Sequence, residues 1–201
     1  MKAEVKRKQD ECGRKISTSI LYVVKDKYID IVEVLPRHQE SIRNLKESGH
    51  EVIGYIRKST GEKDDNIRIR LLKQMCCNLR ERFLVTKVFA SVSCNANQPF
   101  LARDSKKNHD MLSKINVDGD MQDLLAYIYT KEKICIVAID FAGLTMNCED
   151  LELFLKNHRN IVKLIIDKLP YSNSIHVYNS DELLNNPNKL QGFKCRKNTL
   201  F

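Results

Sequence analysis

No stretch of this chain is apolar over anything like the ~18 residues needed to cross a bilayer, so a membrane span is not expected. The opening residues, Met-Lys-Ala-Glu-Val-Lys-Arg-Lys, lack the apolar core of a secretion signal. With seven glycines and four prolines in 201 residues, collagen-like and linker-dominated sequence is excluded. The cysteines at 12, 76, 77, 94, 135, 148 and 195 are odd in number and form no Cys-x-x-Cys pair. A disulfide framework needs pairs, and a zinc site needs clustered ligands. The five histidines, at 38, 50, 109, 158 and 176, are equally scattered. Neither G-x-x-x-x-G-K-[ST] nor G-x-G-x-x-G occurs, so the two common phosphate loops of nucleotide cofactors are missing. The expectation is a reduced, intracellular protein, nuclear in a eukaryotic host, with no metal, no small-molecule cofactor and no membrane association.

What the chain does have is positive charge. Lysine and arginine total 34 against 26 acids, a formal net charge of +8. Residues 1–15 carry six Lys/Arg against three acids, and residues 63–82 carry the same balance. An excess of this kind favours a phosphate-rich partner, although a plain solvated surface also produces it. No Lys/Arg block is long enough to be a dedicated nucleic-acid arm.

Apolar residues make up 42% of the chain, enough for one packed α/β domain. Residues 1–15 are polar. From 20 to 35 the apolar positions recur at helical gaps, while the β-branched content leaves a hairpin turning at Lys25-Asp26-Lys27 open. Pro36 should end that element. A short helix over 37–48 follows, with Ile42 and Leu45 inward and Gly49 as its stop. Together 1–48 read as a basic, mostly helical appendage. Strands are then expected over 51–57, 84–90, 133–139 and 161–166, the third being the most apolar and so the central one. Between them fall a helix from Asp64 or Asp65 to Phe83, with Ile67, Leu71, Met75 and Leu79 on its buried side, and a long polar loop over 93–118. A helix capped by Asp120 runs to about Lys131, and another from Cys148 to His158. Residues 171–201 read as a polar tail with a weak helix near 181–186. The alternation implies a mainly parallel sheet of four or more strands with helices on both faces, spanning 49–170. Chemistry in such sheets gathers beyond the carboxyl ends of the strands, which here carry Arg57-Lys58-Ser59 and Asp140.

A serine just past a buried strand lies at the sheet edge, where a ligand can reach it. Arg57, two residues earlier, shares its face of an extended chain. A guanidinium beside a hydroxyl suits phosphate, because the planar fork grips its oxygens and offsets developing negative charge. Asp140 is placed to orient that arginine. A bare Arg-x-Ser is also met as a turn-capping serine beside a surface arginine, and the motif alone does not separate the two.

Taken in order, Gly54-Tyr55-Ile56-Arg57-Lys58-Ser59 resembles the G-Y-x-R-x-S signature that opens the catalytic domain of resolvase/invertase serine recombinases. Asp140-Phe141-Ala142-Gly143-Leu144-Thr145 resembles that family's D-R-L-G-R-S motif in degraded form, and the resemblance covers roughly residues 50–168. It implies a resolvase-like fold and metal-free, site-specific strand exchange on double-stranded DNA, in which a serine attacks the phosphodiester and leaves a 5′-phosphoseryl link. Ser59 would be the nucleophile, Arg57 a phosphate clamp and Asp140 the strand-end carboxylate. Lys58, Arg68, Arg70, Lys73, Arg103, Lys106 and Lys107 are the expected DNA contacts. The implied partners are DNA and either further copies of the chain, as a dimer or tetramer, or a related recombinase chain.

The sequence departs from the family where positive charge is most needed. Two arginines of the second motif are replaced by Phe141 and Leu144, and an apolar side chain cannot donate to a phosphoryl oxygen. Losing one such contact typically costs ~10²–10³ in rate. A further family arginine has no counterpart near Gly119-Asp120. Arg103, Lys106 and Lys107 lie farther upstream and would substitute only by rearrangement. The 33 residues after Lys168 are too few and too polar for the family's dimer helix plus DNA-binding region, and residues 1–48 are a weak substitute. The expectation is a catalytically impaired recombinase-like domain, with a non-catalytic interaction or regulatory module on the same fold as the alternative.

Overall fold

The computed structural model describes residues 7–9, 15–17, 34–168 and 174–194. The helix-or-hairpin segment at 20–33 lies outside them. Near the N-terminus, β1 (Arg7–Gln9) pairs antiparallel with β2 (Lys15–Ser17). The remaining described residues build an α/β unit around a five-stranded sheet of order β4-β3-β5-β6-β7. Its strands are β3 (Glu51–Arg57), β4 (Lys87–Ser91), β5 (Ile134–Ile139), β6 (Ile161–Asp167) and β7 (Ile175–Asn179). The first four are parallel, and β7 runs antiparallel to β6. All six residues of β5 are buried, in keeping with its central place.

Side chains alternate across a strand, so β3 feeds two cores. Ile53 and Tyr55 join one with α4 (Met121–Ile128) and α6 (Cys148–Asn157). Val52 and Ile56 join the other with a helix over 34–47 (α1), α2 (Asp65–Phe83) and α3 (His109–Ile115). Helices therefore cover both faces. Gly54 lies on the α2 side, where a Cβ would stand 2.8 Å from Leu79 Cδ1 and 3.4 Å from methyls of Val85 and Val88. The glycine of the first motif thus has a packing reason of its own: the helix sits too close for a side chain.

The caps follow local chemistry. The Asp64 carboxylate accepts from the amides of Asn66 and Ile67 to start α2, and Asp120 and Asp123 form a reciprocal capping box at α4. At the end of α1, Gly49 has φ +82°, with Gly49 N donating to Lys46 O and His50 N to Leu45 O. That is the Schellman arrangement glycine permits.

Five expectations need correction. Pro36 lies inside α1 rather than ending an element, since its fixed φ suits a helix and costs only one donor. No boundary falls at 48, because Ile42 of α1 is fully buried in the sheet core. The buried stripe of α2 is Arg68, Leu72, Cys76, Leu79 and Phe83: Leu79 is inward as expected, but Ile67, Leu71 and Met75 give way to Arg68, Leu72 and Cys76, each one position further on. Residues 93–118 are not a structureless loop: they hold a 3₁₀ turn at Phe100–Ala102 and α3, whose buried Phe100, Met111, Leu112 and Ile115 are too few to show a period. The supposed polar tail supplies, besides the helix expected near 181–186 and found at Ser180–Asn185 (α7), strand β7 and the fully buried Leu183 and Phe193, which pack beside β6 and Phe141.

Candidate functional site

Strands β3, β4 and β5 end side by side. Arg57 pairs in register with Ser91, and Tyr55 with Ala138, which brings Asp140 level with Arg57 two residues further on. Past β3 the chain stays tied to its neighbour, with Lys58 N donating to Ser91 O at 3.0 Å and Cys94 N to Lys58 O at 3.1 Å. Ser59 and Thr60 then emerge exposed. Asp140 takes φ 60°, a left-handed value rare outside glycine, and its carboxylate accepts from Phe141 N at 2.8 Å. It caps the single turn α5 (Phe141–Leu144).

That turn, not the Asp140 carboxylate, holds Arg57. Arg57 Nε and Nη2 donate to Ala142 O at 3.1 and 2.7 Å, and Nη1 donates to Cys94 O at 2.6 Å. Asp140 acts on the arginine only by shaping the turn that presents Ala142. A guanidinium has five N–H donors, so three such bonds leave Arg57 one N–H on each terminal nitrogen. It lines a cleft of 330 Å³ with Ser59, Asn95, Ala96, Asn97 and Met146. Thr60 Oγ1 donates to Asn95 Oδ1 at 3.1 Å across one wall. The Ser59 hydroxyl has no hydrogen-bond partner among the described residues, so nothing there serves it as a base. The cleft can therefore take an anionic oxygen between a free hydroxyl and a half-committed guanidinium.

Beneath the cleft lies Arg103, with no exposed surface. Its Nε donates to Gln98 O at 3.0 Å, Nη1 to Leu144 O at 2.7 Å and to Tyr55 Oη at 3.0 Å, and Nη2 to Ala96 O at 3.4 Å. Its guanidinium also stacks 4.4 Å from the Phe100 ring centroid. Tyr55 Oη donates to Ser91 Oγ at 2.7 Å, and Ser91 donates in turn to Asp104 Oδ2. Burial pushes the Tyr55 phenol and the Cys94 thiol above their ordinary values, and it raises the Asp104 carboxyl against the pull of its bonds from Ser91 and the Met121 amide.

The structure does not gather the expected DNA contacts into one surface. Arg103 is a buried strut and cannot touch DNA. Arg68 is nearly buried, donating to Glu62 O and pairing with Asp65 at 3.1 Å. Lys107 pairs with Asp123 at 2.6 Å and belongs to a separate cleft beside β4 and α4. Arg70, Lys73 and Lys106 are exposed, and Lys58 is half-buried beside the cleft. Phe141 and Leu144, where the motif that this segment resembles carries arginines, are 5% and 2% exposed and belong to the core. Sequence reasoning missed Tyr55, Ser91 and Asp104. The only available signal was Tyr55 standing two residues before Arg57, since the contact with Asp104 depends on a short loop whose path has no pattern.

Among the described residues no group of three or more His, Cys, Asp or Glu could hold a metal ion, and no helix is long and apolar enough to cross a membrane. No protein-family model, curated protein or solved structure matches the chain.

Proposed function

We propose that this chain is a serine-recombinase-like domain that binds the phosphate backbone of double-stranded DNA at the Arg57–Ser59 cleft and is impaired in cleaving it. The observation that carries the reading is that one cleft is lined both by Ser59, whose exposed hydroxyl is unengaged among the described residues, and by Arg57, whose guanidinium has two uncommitted N–H donors. The order of elements supports it: a strand ending in Arg-x-Ser, a helix, a strand, a short helical region, a helix, a strand ending in Asp, then helix and strand. Impairment follows from the same geometry. Binding a phosphate needs a clamp, whereas direct serine attack needs positive charge all round the phosphoryl group. Phe141 and Leu144 point that part of the site into the core.

The non-catalytic alternative shares this fold, and one observation favours it: Arg57 spends three donors on backbone carbonyls, as a purely structural arginine would. Binding to a short DNA duplex, followed by fluorescence anisotropy over a range of salt, separates the two. The proposal predicts affinity that falls steeply with salt, because neutralised phosphates release counterions. It also predicts that Arg57→Ala weakens binding and reduces the salt slope by about one phosphate contact. Absent or salt-insensitive binding would support the interaction module instead.

A further inference from the structure

Arg57 and Arg103 bridge the same two segments at successive levels. On one wall the acceptors are Cys94 O for Arg57 and Ala96 O and Gln98 O for Arg103. On the other they are Ala142 O for Arg57 and Leu144 O for Arg103. The acceptors advance from residue 94 to residues 96 and 98 on one wall and from 142 to 144 on the other, so each guanidinium forms a rung between the walls, the exposed-side Arg57 above and the buried Arg103 below. Further bonds close the same seam: Met146 N to Ala96 O at 3.0 Å, Thr145 Oγ1 to Ala96 O at 3.2 Å, and Asn147 Nδ2 to Asn97 O at 3.3 Å. Arg103 has no carboxylate partner among the ion pairs of the described residues. Its charge is held by carbonyls, the Tyr55 hydroxyl and the Phe100 ring.

We propose that Arg103 is a positioning residue for the phosphate cleft: it fixes the spacing of the 94–98 and 142–146 walls and thereby the two carbonyls that aim Arg57, without touching the bound phosphate itself. The inference rests on the cleft being a phosphate site and assigns the control of that site to a residue the sequence placed on the DNA surface. The tie through Tyr55 Oη explains why an aromatic hydroxyl stands two residues before Arg57: it anchors the lower rung to the strand that carries the upper one.

A double-mutant cycle on affinity for a short DNA duplex tests it, with the Arg57 Nε–H signal in the NMR spectrum as an independent readout. Arg57→Ala should weaken binding roughly tenfold, the usual scale for a hydrogen bond to a charged group. Arg103→Lys should lose most of the same factor and the same unit of salt slope, and the double variant should be no worse than Arg57→Ala alone. Arg103→Lys should also shift or broaden the Arg57 Nε–H signal in the absence of DNA. Tyr55→Phe removes one acceptor and leaves the charge, so it should move that signal in the same direction if Arg103→Lys does not fold. Losses that multiply in the double variant, or an Arg57 signal unmoved by Arg103→Lys and Tyr55→Phe, would overturn the inference. Should Arg57→Ala leave affinity intact, the phosphate reading itself fails, and the NMR signal alone then decides whether Arg103 positions Arg57.

Discussion

Placing arginines at 141 and 144, where the resolvase/invertase motif that this sequence resembles carries them, is the natural way to add charge beside the proposed phosphate cleft, and the structure predicts that it fails by unfolding the domain. Phe141 is 5% exposed. Its ring meets Phe193 edge-on at 4.9 Å, His176 at 5.7 Å and Tyr178 at 6.2 Å, and Lys168 Nζ already sits 5.4 Å from its centroid. Removing such a ring costs about 3–5 kcal/mol through lost burial and the cavity left behind. Placing an unpaired guanidinium there, close to an existing ammonium, costs further several kcal/mol. Domain stabilities are about 5–15 kcal/mol, so Phe141→Arg alone consumes most of the margin. Adding Leu144→Arg, at a site 2% exposed, removes the rest. Urea denaturation followed by circular dichroism is the assay. Phe141→Arg should lower stability by at least ~3 kcal/mol, and the double variant should show no cooperative transition at 25 °C. Two variants with unchanged midpoints, above all if they gained DNA cleavage, would refute the assignment of these positions to the core.

Three further outcomes follow from buried groups. His38 packs edge-on against Phe83 at 4.9 Å with its Nε2 buried and unpartnered, and burial lowers its pKa from 6.5 to about 4. The unfolded chain then binds the extra proton, so stability should fall as pH drops from 6.5 towards 4, by at most ~2 kcal/mol once partial exposure is discounted, and His38→Gln should flatten that limb in denaturation curves. Asp104 has the opposite sign: its raised pKa contributes stability below its ordinary value that is lost as pH rises through the folded value, and Asp104→Asn should remove this dependence. Gly54→Ala should cost about 1–3 kcal/mol by pushing Leu79 off β3, and an unchanged urea midpoint would show that α2 has room to give.

The strands were legible because buried parallel strands are short apolar runs, and Glu51–Arg57, Ile134–Ile139 and Ile161–Asp167 are such runs. The caps at Asp64 and Asp120 were legible because capping is local chemistry. The buried face of α2 was not, since Leu71 and Met75 compete with Leu72, Cys76 and Phe83 for the inward side and only the sheet decides between them. β7 was hidden because Ile175-His176-Val177-Tyr178-Asn179 mixes polar and apolar residues, as befits a half-exposed edge strand. The placement of Arg57 at the end of β3 and of Ser59 just past it could be read from strand period and position. Arg103 was misplaced because charge usually predicts exposure, and the carbonyls that satisfy it come from backbone 5 to 41 residues away.

The central claim is that Ser59 faces a bound phosphate that it does not efficiently attack. Its most direct test is to incubate the protein with supercoiled DNA, stop the reaction under denaturing conditions and look for DNA covalently attached to Ser59. With binding verified on the same sample, the account predicts little or no adduct, because the positions that would complete the charge around the phosphate are buried phenylalanine and leucine. An abundant adduct that disappears in Ser59→Ala would contradict it, and would mean that the charge comes from some group other than residues 141 and 144.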